Sequence, residues 1–296
     1  MNELLRAAAH VRLHRGRTFV VKIGGACVER PPLLRQLARQ ISAVQALGAR
    51  LVVVHGGGPQ TDALQRLLGE EPAHVDGRRV TSATALRALR LATAGELNSA
   101  IAAALTAEGA PAVGMCAASA GVLTAARRPP QPRPGGALDF GEVGDIRQVN
   151  PAPILSLLRD GWIPVLCPPA SDGQGGFLNV NADLAAAALA VALSAAKLVL
   201  LTGAPGVLRD PADPGSLVSA LSLPELEQLE REGALQNGMA VKSAAIRAAL
   251  QGGVPRVHVV SGTEPEALLR ELYTNHGAGT LLTLEPDSAP VLEAAS

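Results

Sequence analysis

The stretch Phe19-Val20-Val21-Lys22-Ile23-Gly24-Gly25 decides the fold of this chain. Its apolar residues are continuous rather than alternating, which is typical of a strand in a sheet that is covered on both faces. The lysine near the strand end is followed by two glycines, so a compact cation lies beside a backbone that a ligand can approach closely. The stretch therefore predicts a strand of a parallel sheet that ends at a ligand site.

Apolar runs of strand length recur along the chain and alternate with helical patterns, which predicts an α/β fold with a central, mainly parallel sheet. Because both faces of the sheet are covered, we expect a three-layer sandwich. The predicted strands are 19–23, 51–54, 112–115, 163–166, 198–201 and 257–260. The predicted helices are a short one within 1–17 and those at 33–47, 59–68, 82–108, 151–160, 183–195, 223–232 and 239–251.

Two stretches interrupt this alternation. Residues 72–81 and 122–150 predict short strands and hairpins, and the Pro-, Arg- and Gly-rich segment 127–136 predicts a mobile surface loop. One continuous sheet with two lobes, residues 1–178 and 179–296, is the expected organisation.

The composition argues against several classes of protein. The formal net charge is +0 and aromatic residues make up 2% of the 296 residues, so the basic and aromatic surface of a nucleic-acid-binding protein is not expected. The longest apolar stretch, 184–196, is too short to span a membrane, and residues 1–17 lack the apolar core of a signal peptide. We therefore expect a cytoplasmic protein that binds neither nucleic acid nor membrane.

The chain has three cysteines, which are Cys27, Cys116 and Cys167. An odd number at wide spacing matches neither a disulfide framework nor a zinc site. All three lie among apolar or small residues, so we interpret them as small buried side chains.

Lysine is rare in this chain, which has 26 lysines and arginines together but lysines only at positions 22, 197 and 242. A lysine is required where a compact ammonium must act as a point charge, so each one is informative. Lys22 and Lys242 lie next to glycines, in Lys22-Ile23-Gly24-Gly25 and in Asn237-Gly238-Met239-Ala240-Val241-Lys242, and both settings are typical of phosphate sites. For Lys197, an ordinary surface charge is the favoured interpretation.

Two further glycine loops follow predicted strands. His55-Gly56-Gly57-Gly58-Pro59 leads into a helix, whose first N–H groups can bind an anion. Thr202-Gly203-Ala204-Pro205-Gly206 is suited to a nucleotide. Neither loop has the spacing of a P-loop or of a dinucleotide-binding motif.

Three polar residues complete the candidate site. Arg79 can hold a carboxylate through two hydrogen bonds, and Asn179 precedes the helix that contains Asp183 in its first turn. No Ser-His-Asp arrangement and no zinc spacing is evident in the sequence. Glycines, two lysines and one aspartate provide no obvious general base. Phosphoryl transfer to a carboxylate needs none, because the acceptor oxygen is already ionised at neutral pH.

These motifs resemble the amino acid kinase family, and within it the enzymes that phosphorylate N-acetyl-L-glutamate in arginine synthesis. The resemblance extends from about Phe19 to Leu282, with the motifs in the family's order. It rests on Lys-x-Gly-Gly, Val-His-Gly-Gly-Gly-Pro-Gln, Gly-x-Arg-Val-Thr, Asn-Val-Asn-Ala-Asp and Gly-Met-x-Val-Lys. It implies transfer of the γ-phosphoryl group of ATP, with Mg²⁺ carried by the nucleotide and no metal site on the protein itself.

The resemblance also implies roles for individual residues. Lys22, Lys242 and Asp183 would be catalytic, with the aspartate holding both lysines. The substrate would bind to Gly57, Gly58, Arg79 and Asn179 in the N-terminal lobe, and the nucleotide to Gly24, Gly25, Thr202, Gly203, Gly206 and Met239, mainly in the C-terminal lobe. The sequence departs from the family's pattern at Gly203, where many members have Asp, and at 114–121, which lacks the usual Gly-x-Asp-Gly ending.

Some members of the family form hexamers through an N-terminal helix and are inhibited by arginine. The segment 271–280 is similar to their inhibitor loop, which implies an arginine site at Lys197, Glu271, Gly277 and Gly279. A homodimer, or a hexamer, is the implied assembly. Two alternatives remain open at this point. One is a kinase for an acetylated or carrier-linked aminoadipate in lysine synthesis, and the other is a regulatory protein that binds an amino acid without turnover.

Overall fold

The protein is represented by a computed structural model, which describes residues 3–134, 136–210, 212–233, 235 and 238–286. The α-helices α1 to α10 span Glu3–His14, Pro31–Ala46, Gly58–Leu67, Ala83–Arg90, Asn98–Ala107, Ala152–Arg159, Ala182–Ala192, Leu223–Arg231, Gly238–Gln251 and Ala267–Tyr273. The strands β1 to β16 span Thr18–Ile23, Arg50–His55, Ala73–Val75, Arg78–Val80, Ala112–Cys116, Leu123–Arg127, Gln131–Arg133, Gly136–Leu138, Gly144–Val149, Ile163–Cys167, Pro169–Ser171, Phe177–Asn179, Lys197–Thr202, Ala220–Ser222, Val257–Ser261 and Thr280–Thr283.

The fold is organised around an eight-stranded sheet with the order β14-β16-β15-β13-β1-β2-β10-β5. All neighbouring strands in it are parallel except β15 and β16, which are antiparallel. The prediction of a mainly parallel α/β sheet is therefore confirmed. A four-stranded sheet, β12-β11-β6-β9, and the hairpins β3–β4 and β7–β8 lie outside it.

The alternation of side chains along β1 produces the three layers, because successive residues of a strand point to opposite faces. Phe19, Val21 and Ile23 belong to one buried cluster, together with apolar residues of α2, α5 and α10. Val20 belongs to a second cluster with apolar residues of α7, α8 and α9. Ala, Leu, Val and Ile fill most of both clusters, as the low aromatic content predicts.

Three details of the fold differ from the sequence prediction. The predicted helix 82–108 consists of α4, a π-helical segment Leu91–Leu97 and α5. The predicted loop 127–136 contains paired backbone instead, because β6 extends to Arg127 and β7 pairs with β8 in a hairpin. Cys116 is only partly buried, whereas Cys27 and Cys167 are fully buried as predicted. Among the helices described, none combines the length and the hydropathy that crossing a membrane requires.

Candidate active site

Three glycine loops lie together at the carboxyl ends of neighbouring strands in the large sheet. Strand β1 lies between β2 and β13, and the register places Lys22 beside Val54 and Leu200. All three strands run in the same direction, so their carboxyl ends meet. The loops that follow them contain Gly24 and Gly25, Gly56 to Gly58, and Gly203 to Gly206. The predicted ligand site is thus located where three strands end.

Lys22 points to the face of the sheet that α7 covers. It is two residues beyond Val20, which packs against α7, and residues two apart on a strand share a face. On that face Lys22 forms an ion pair with Asp183, in the first turn of α7, with 2.8 Å between Lys22 Nζ and Asp183 Oδ1. The other carboxylate oxygen, Oδ2, lies 3.6 Å from Lys242 Nζ, which α9 contributes. One carboxylate therefore lies between two ammonium groups, as the sequence predicted.

These three charges are shielded from solvent, since Lys22 and Asp183 are 6% and 5% exposed. Burial by itself raises the pKa of Asp183, but the charges of Lys22 and Lys242 outweigh it and hold the pKa below the ordinary value. Burial lowers the pKa of Lys242, and the charge of Asp183 opposes that shift. The group carries a net positive charge of one, which favours a bound anion.

Helix N-termini add to this positive potential. Gly58 begins α3 and Ala182 begins α7, and both residues line the same cavity as Lys22. The backbone N–H groups of a first turn have no partner within the helix and attract anions. Asn181 caps α7 by accepting hydrogen bonds from the N–H groups of Asp183 and Leu184, at 2.9 and 3.1 Å. Asn181 is therefore the N-cap of α7.

The cavity has a volume of about 260 Å³ and brings together most of the predicted catalytic and substrate-binding residues. Those that line it are Lys22, Gly57, Gly58, Arg79, Asn179 and Asp183, and the predicted nucleotide residue Gly25 lines it as well. Lys242 is joined to the cavity residues by its ion pair with Asp183, and its neighbour Val241 lines the cavity. Asn237, which belongs to the same sequence motif, lies outside the described residues.

Arg79 enters the cavity from the strand β4, and its side chain is 8% exposed. Its guanidinium donates to Gln65 Oε1 at 3.0 Å and to the carbonyl of Gly58 at 3.1 Å, and it forms an ion pair with Asp62. Neither Asp62 nor Gln65 was predicted from the sequence. The spacing 58, 62, 65 places them on one face of α3, directly after the glycine loop, and this was the available signal.

His55 supports the glycine loop through hydrogen bonds, a role that was not predicted from the sequence. It is fully buried, with Nδ1 2.8 Å from the carbonyl of Gly56 and Nε2 3.0 Å from the amide nitrogen of Asn98. Burial lowers the pKa of His55 to about 4, so the ring is neutral at pH 7. Nδ1–H then donates to Gly56, and Nε2 accepts from Asn98. This pair fixes the first glycine of the loop.

The predicted nucleotide residues other than Met239 follow the ends of β1 and β13, and Gly25 among them lines the cavity. Gly24 donates to the carbonyl of Leu201 at 3.0 Å, and a side chain on Gly206 would meet Thr280 Oγ1 at 2.6 Å. A Cβ on Gly203 would meet only Ala26, at 3.9 Å. Thr202 shapes this loop by accepting from the N–H of Ala204 at 2.9 Å. Met239 lies near the start of α9 and packs against the core.

The predicted effector residues form a separate cluster at the opposite end of β13. Lys197 begins that strand and Thr202 ends it, a span of about 17 Å. Lys197 is 7% exposed and its Nζ lies 3.0 Å from His258 Nε2, so its interpretation as a solvated surface charge was wrong. His258 Nδ1 lies 2.6 Å from Glu271 Oε1, and Glu271 Oε2 accepts from the N–H of Gly279 at 2.9 Å.

Burial and neighbouring charges shift the pKa values of this cluster. Burial lowers the pKa of Lys197 to about 8, and the charge of Arg256 acts in the same direction. Burial and the charge of Lys197 lower the pKa of His258 to about 4, although Glu271 opposes the shift. Burial raises the pKa of Glu271, but its hydrogen bond with His258 outweighs that effect and the pKa is lowered.

The chain is similar to known proteins over most of its length. Residues 17–261 match the amino acid kinase family. The chain belongs to that family. An amino acid kinase relative from Myxococcus xanthus (strain DK1622), named acetylglutamate kinase, is 44% identical over 97% of this chain and 95% of its own length. The acetylglutamate kinase of Symbiobacterium thermophilum is 38% identical over 94% of this chain and 96% of its own length.

A solved structure with the same amino acid kinase fold comes from Neisseria gonorrhoeae. It is an N-acetylglutamate synthase complexed with coenzyme A and N-acetyl-glutamate, with a TM-score of 0.83 and 32% sequence identity. The match covers 96% of this chain but 63% of the synthase, so this protein spans less than two thirds of the synthase chain.

Proposed function

We propose that this protein transfers the γ-phosphoryl group of ATP to the side-chain carboxylate of N-acetyl-L-glutamate, which yields an acyl phosphate for arginine synthesis. The protein is an ATP-dependent phosphotransferase with a carboxylate acceptor. The observation that carries the proposal is the placement of Asp183 between Lys22 and Lys242, at 2.8 and 3.6 Å, beside a cavity that also contains Arg79. Full-length relatives named acetylglutamate kinase support it.

The two lysines supply the catalysis in this proposal. Lys22 and Lys242 neutralise the negative charge of the transferring phosphoryl group, and Asp183 keeps both ammonium groups in position. The N–H groups at the starts of α3 and α7 point towards the same region. No residue removes a proton, because the attacking carboxylate is already ionised. The chemistry therefore depends on charge and alignment.

The acetylated amino acid binds in the N-terminal lobe, residues 1–178, with Asn179 at its boundary. Arg79 holds the α-carboxylate, because its guanidinium is buried, charged and oriented by Asp62 and Gln65. Gly57 and Gly58 present bare backbone to the substrate, and Asn179 is held in place by donating to Thr81 Oγ1 at 2.9 Å.

ATP binds mainly in the C-terminal lobe, residues 179–296, along the end of β13, and the N-terminal lobe contributes the end of β1. Gly24, Gly25, Thr202, Gly203, Gly206 and Met239 border it. Side chains on Gly25 and Gly206 would collide with Pro59 and Thr280, at 2.9 and 2.6 Å, so both positions keep the bare backbone that a phosphate chain can approach. Within the described residues, no group of three or more His, Cys, Asp or Glu side chains could hold a metal ion. Mg²⁺ is proposed to be carried by the phosphates of the nucleotide.

A substrate panel tests the proposal. Hydroxylamine traps acyl phosphates as hydroxamates, so the protein is incubated with MgATP and, in turn, N-acetylglutamate, N-acetylaminoadipate and a carrier-linked aminoadipate. We expect hydroxamate from N-acetylglutamate at the highest kcat/KM. Product from only the longer substrates would instead assign the enzyme to lysine synthesis. No product from any of them would favour a regulatory protein that binds without turnover.

Arginine is the proposed inhibitor, bound at Lys197, Glu271, Gly277 and Gly279. The carboxylate of Glu271, whose side chain is 4% exposed, can pair with a cationic ligand, and the loop it holds includes the positive-φ residue Gly277. Isothermal titration calorimetry should detect arginine binding to the wild type and to Glu264→Gln, an exposed control, but not to Glu271→Gln. Absence of binding to the wild type would remove the inhibitor from the proposal.

The assembly is proposed to be a homodimer, or a hexamer joined through the N-terminal helix α1, and the location is proposed to be the cytoplasm. Light scattering of the purified full chain distinguishes the assemblies. Deletion of residues 1–14 should convert a hexamer to a dimer and leave a dimer unchanged. A monomeric wild type would contradict the proposal.

A further inference from the structure

Two cysteines that are far apart in sequence lie side by side in the large sheet. Cys116 ends β5 and Cys167 ends β10, and the register pairs them directly across these parallel strands. Neighbouring strands lie about 4.8 Å apart, which is inside the range of Cα separations that a disulfide spans. Strand β5 is the edge of the sheet. The pair can therefore close with a small movement of a strand end.

The two thiols differ in exposure and in reactivity. Cys167 is fully buried, whereas Cys116 is partly exposed and its Sγ lies 3.1 Å from the carbonyl of Pro169. A hydrogen bond with Cys167 lowers the pKa of Cys116 to about 7, and the charge of Arg90 acts in the same direction. The same hydrogen bond and burial raise the pKa of Cys167. Cys116 is thus the thiol that ionises and meets reagents from solvent.

We propose that Cys116 and Cys167 form a reversible redox pair, in which a hydroperoxide oxidises Cys116 and Cys167 resolves the product to a disulfide. The Cys116 thiolate attacks one peroxide oxygen and breaks the O–O bond. The departing oxygen takes a proton and leaves as water or alcohol, so Cys116 becomes a sulfenic acid. Cys167 Sγ then attacks Cys116 Sγ, the S–O bond breaks, and the hydroxyl group leaves as water with the proton of Cys167. A dithiol reduces the disulfide back to the two thiols and is itself oxidised to a disulfide.

The buried member of the pair contacts the support of the substrate loop. Thr93, which lies within the π-helical segment Leu91–Leu97, acts on the thiol of Cys167 by lowering its pKa. A Cβ on Gly57 would lie 2.8 Å from Thr93 Cγ2, so Thr93 packs directly beneath that loop. Pro168, next in the chain, lines the cavity. A disulfide would draw Cys167 towards Cys116, and we expect a higher KM for the acetylated amino acid, a consequence that rests on the proposed function.

The primary test measures thiols and does not depend on activity. The reduced full-length protein is treated with hydrogen peroxide, and free thiols are titrated. Two of the three cysteine thiols should be lost, the mass should fall by that of two hydrogen atoms, and dithiothreitol should restore both. Tryptic peptides 91–127 and 160–197 should be found linked. Cys27→Ala, a buried control, should lose the same two thiols.

Variants separate the two steps. Cys167→Ala should stop at a sulfenic acid on Cys116, which dimedone labels, and Cys116→Ala should lose no thiol. At pH 7, iodoacetamide should modify Cys116 at least about tenfold faster than Cys27, a comparison within the wild type that needs no variant. Three thiols that survive peroxide, equal reactivity of Cys116 and Cys27, or a Cys116 link between two chains would overturn the proposal. If the disulfide forms but the KM for the acetylated amino acid is unchanged, only the connection to the substrate loop is removed from the proposal.

Discussion

Lys22 Nζ lies 2.8 Å from Asp183 Oδ1, with both side chains 7% exposed. This contact joins the central strand of the sheet to the first turn of α7, and through Asp183 to Lys242 on α9. A buried ion pair of this kind is costly to break, because removing one residue leaves the charge of the other uncompensated and away from water. Each member therefore affects both folding and the charge of the site.

Lys242→Arg should reduce kcat much more than stability. The larger, planar guanidinium keeps the charge but cannot occupy the position of a compact ammonium 3.6 Å from Asp183. We expect a loss of about a hundredfold in kcat, since a misplaced charge-stabilising group typically costs that much. Steady-state kinetics and thermal unfolding check it. Arg247→Lys on the same helix is the matched control, and a near-normal kcat for Lys242→Arg would contradict the point-charge argument.

Asp183→Asn should destabilise the fold. It removes the carboxylate from between Lys22 and Lys242, so the two ammonium groups repel each other. The expected loss is about 3 kcal/mol in the free energy of unfolding, as for other broken buried pairs. Urea titration measures it. Added pyrophosphate should recover part of the loss by taking the position of the missing anion, and an unchanged unfolding midpoint would show that the pair does not restrain the site.

Arg79→Lys should raise the KM for N-acetylglutamate and leave that for ATP unchanged. Lysine retains the charge but loses the fork that Asp62 and Gln65 orient. One charge-assisted hydrogen bond is worth about 1.5–3 kcal/mol, so the KM should increase roughly 10- to 100-fold. Arg66→Lys, an exposed position on α3, is the control. Equal increases in both KM values would assign Arg79 a purely structural role.

Gly57→Ala and Gly58→Ala provide a matched pair. A Cβ at Gly57 would lie 2.7 Å from Leu97 Cδ1 and 2.8 Å from Thr93 Cγ2, whereas a Cβ at Gly58 meets nothing within 4 Å. Overpacking of this kind costs about 1–3 kcal/mol. Gly57→Ala should therefore lower the unfolding free energy by that amount, and Gly58→Ala should not. Similar stabilities for both variants would show that the loop yields freely.

Buried histidines should make stability depend on pH. The pKa values of His55 and His258 are lowered to about 4, whereas the unfolded chain protonates near 6.5. Between these values the unfolded state binds more protons, so stability falls as the pH falls. Each histidine contributes about 1.4 kcal/mol per pH unit in that window and nothing further above it. Urea unfolding from pH 7 to pH 5 measures the slope, and a flat profile would contradict the neutral, buried rings.

Local sequence patterns predicted the parts of the site that depend on strand ends. Continuous apolar runs located the strands, and the glycines and Lys22 identified the edge where they meet. Local patterns could not reveal which residues that are distant in sequence come into contact. The ion pair of Asp62 with Arg79, the burial of Lys197 against His258 and the register of Cys116 with Cys167 all depend on how distant elements pack. The π-helical segment likewise has no local sequence signature.

The most direct test of the central claim is to follow the phosphorus atoms of ATP by ³¹P NMR while the protein acts on N-acetylglutamate in the presence of Mg²⁺. The charge arrangement around Asp183 predicts ADP and an acyl phosphate in equal amounts, both absent when N-acetylglutamate is omitted. ADP with inorganic phosphate as the only other product under conditions where acyl phosphates persist, or no consumption of ATP, would contradict it.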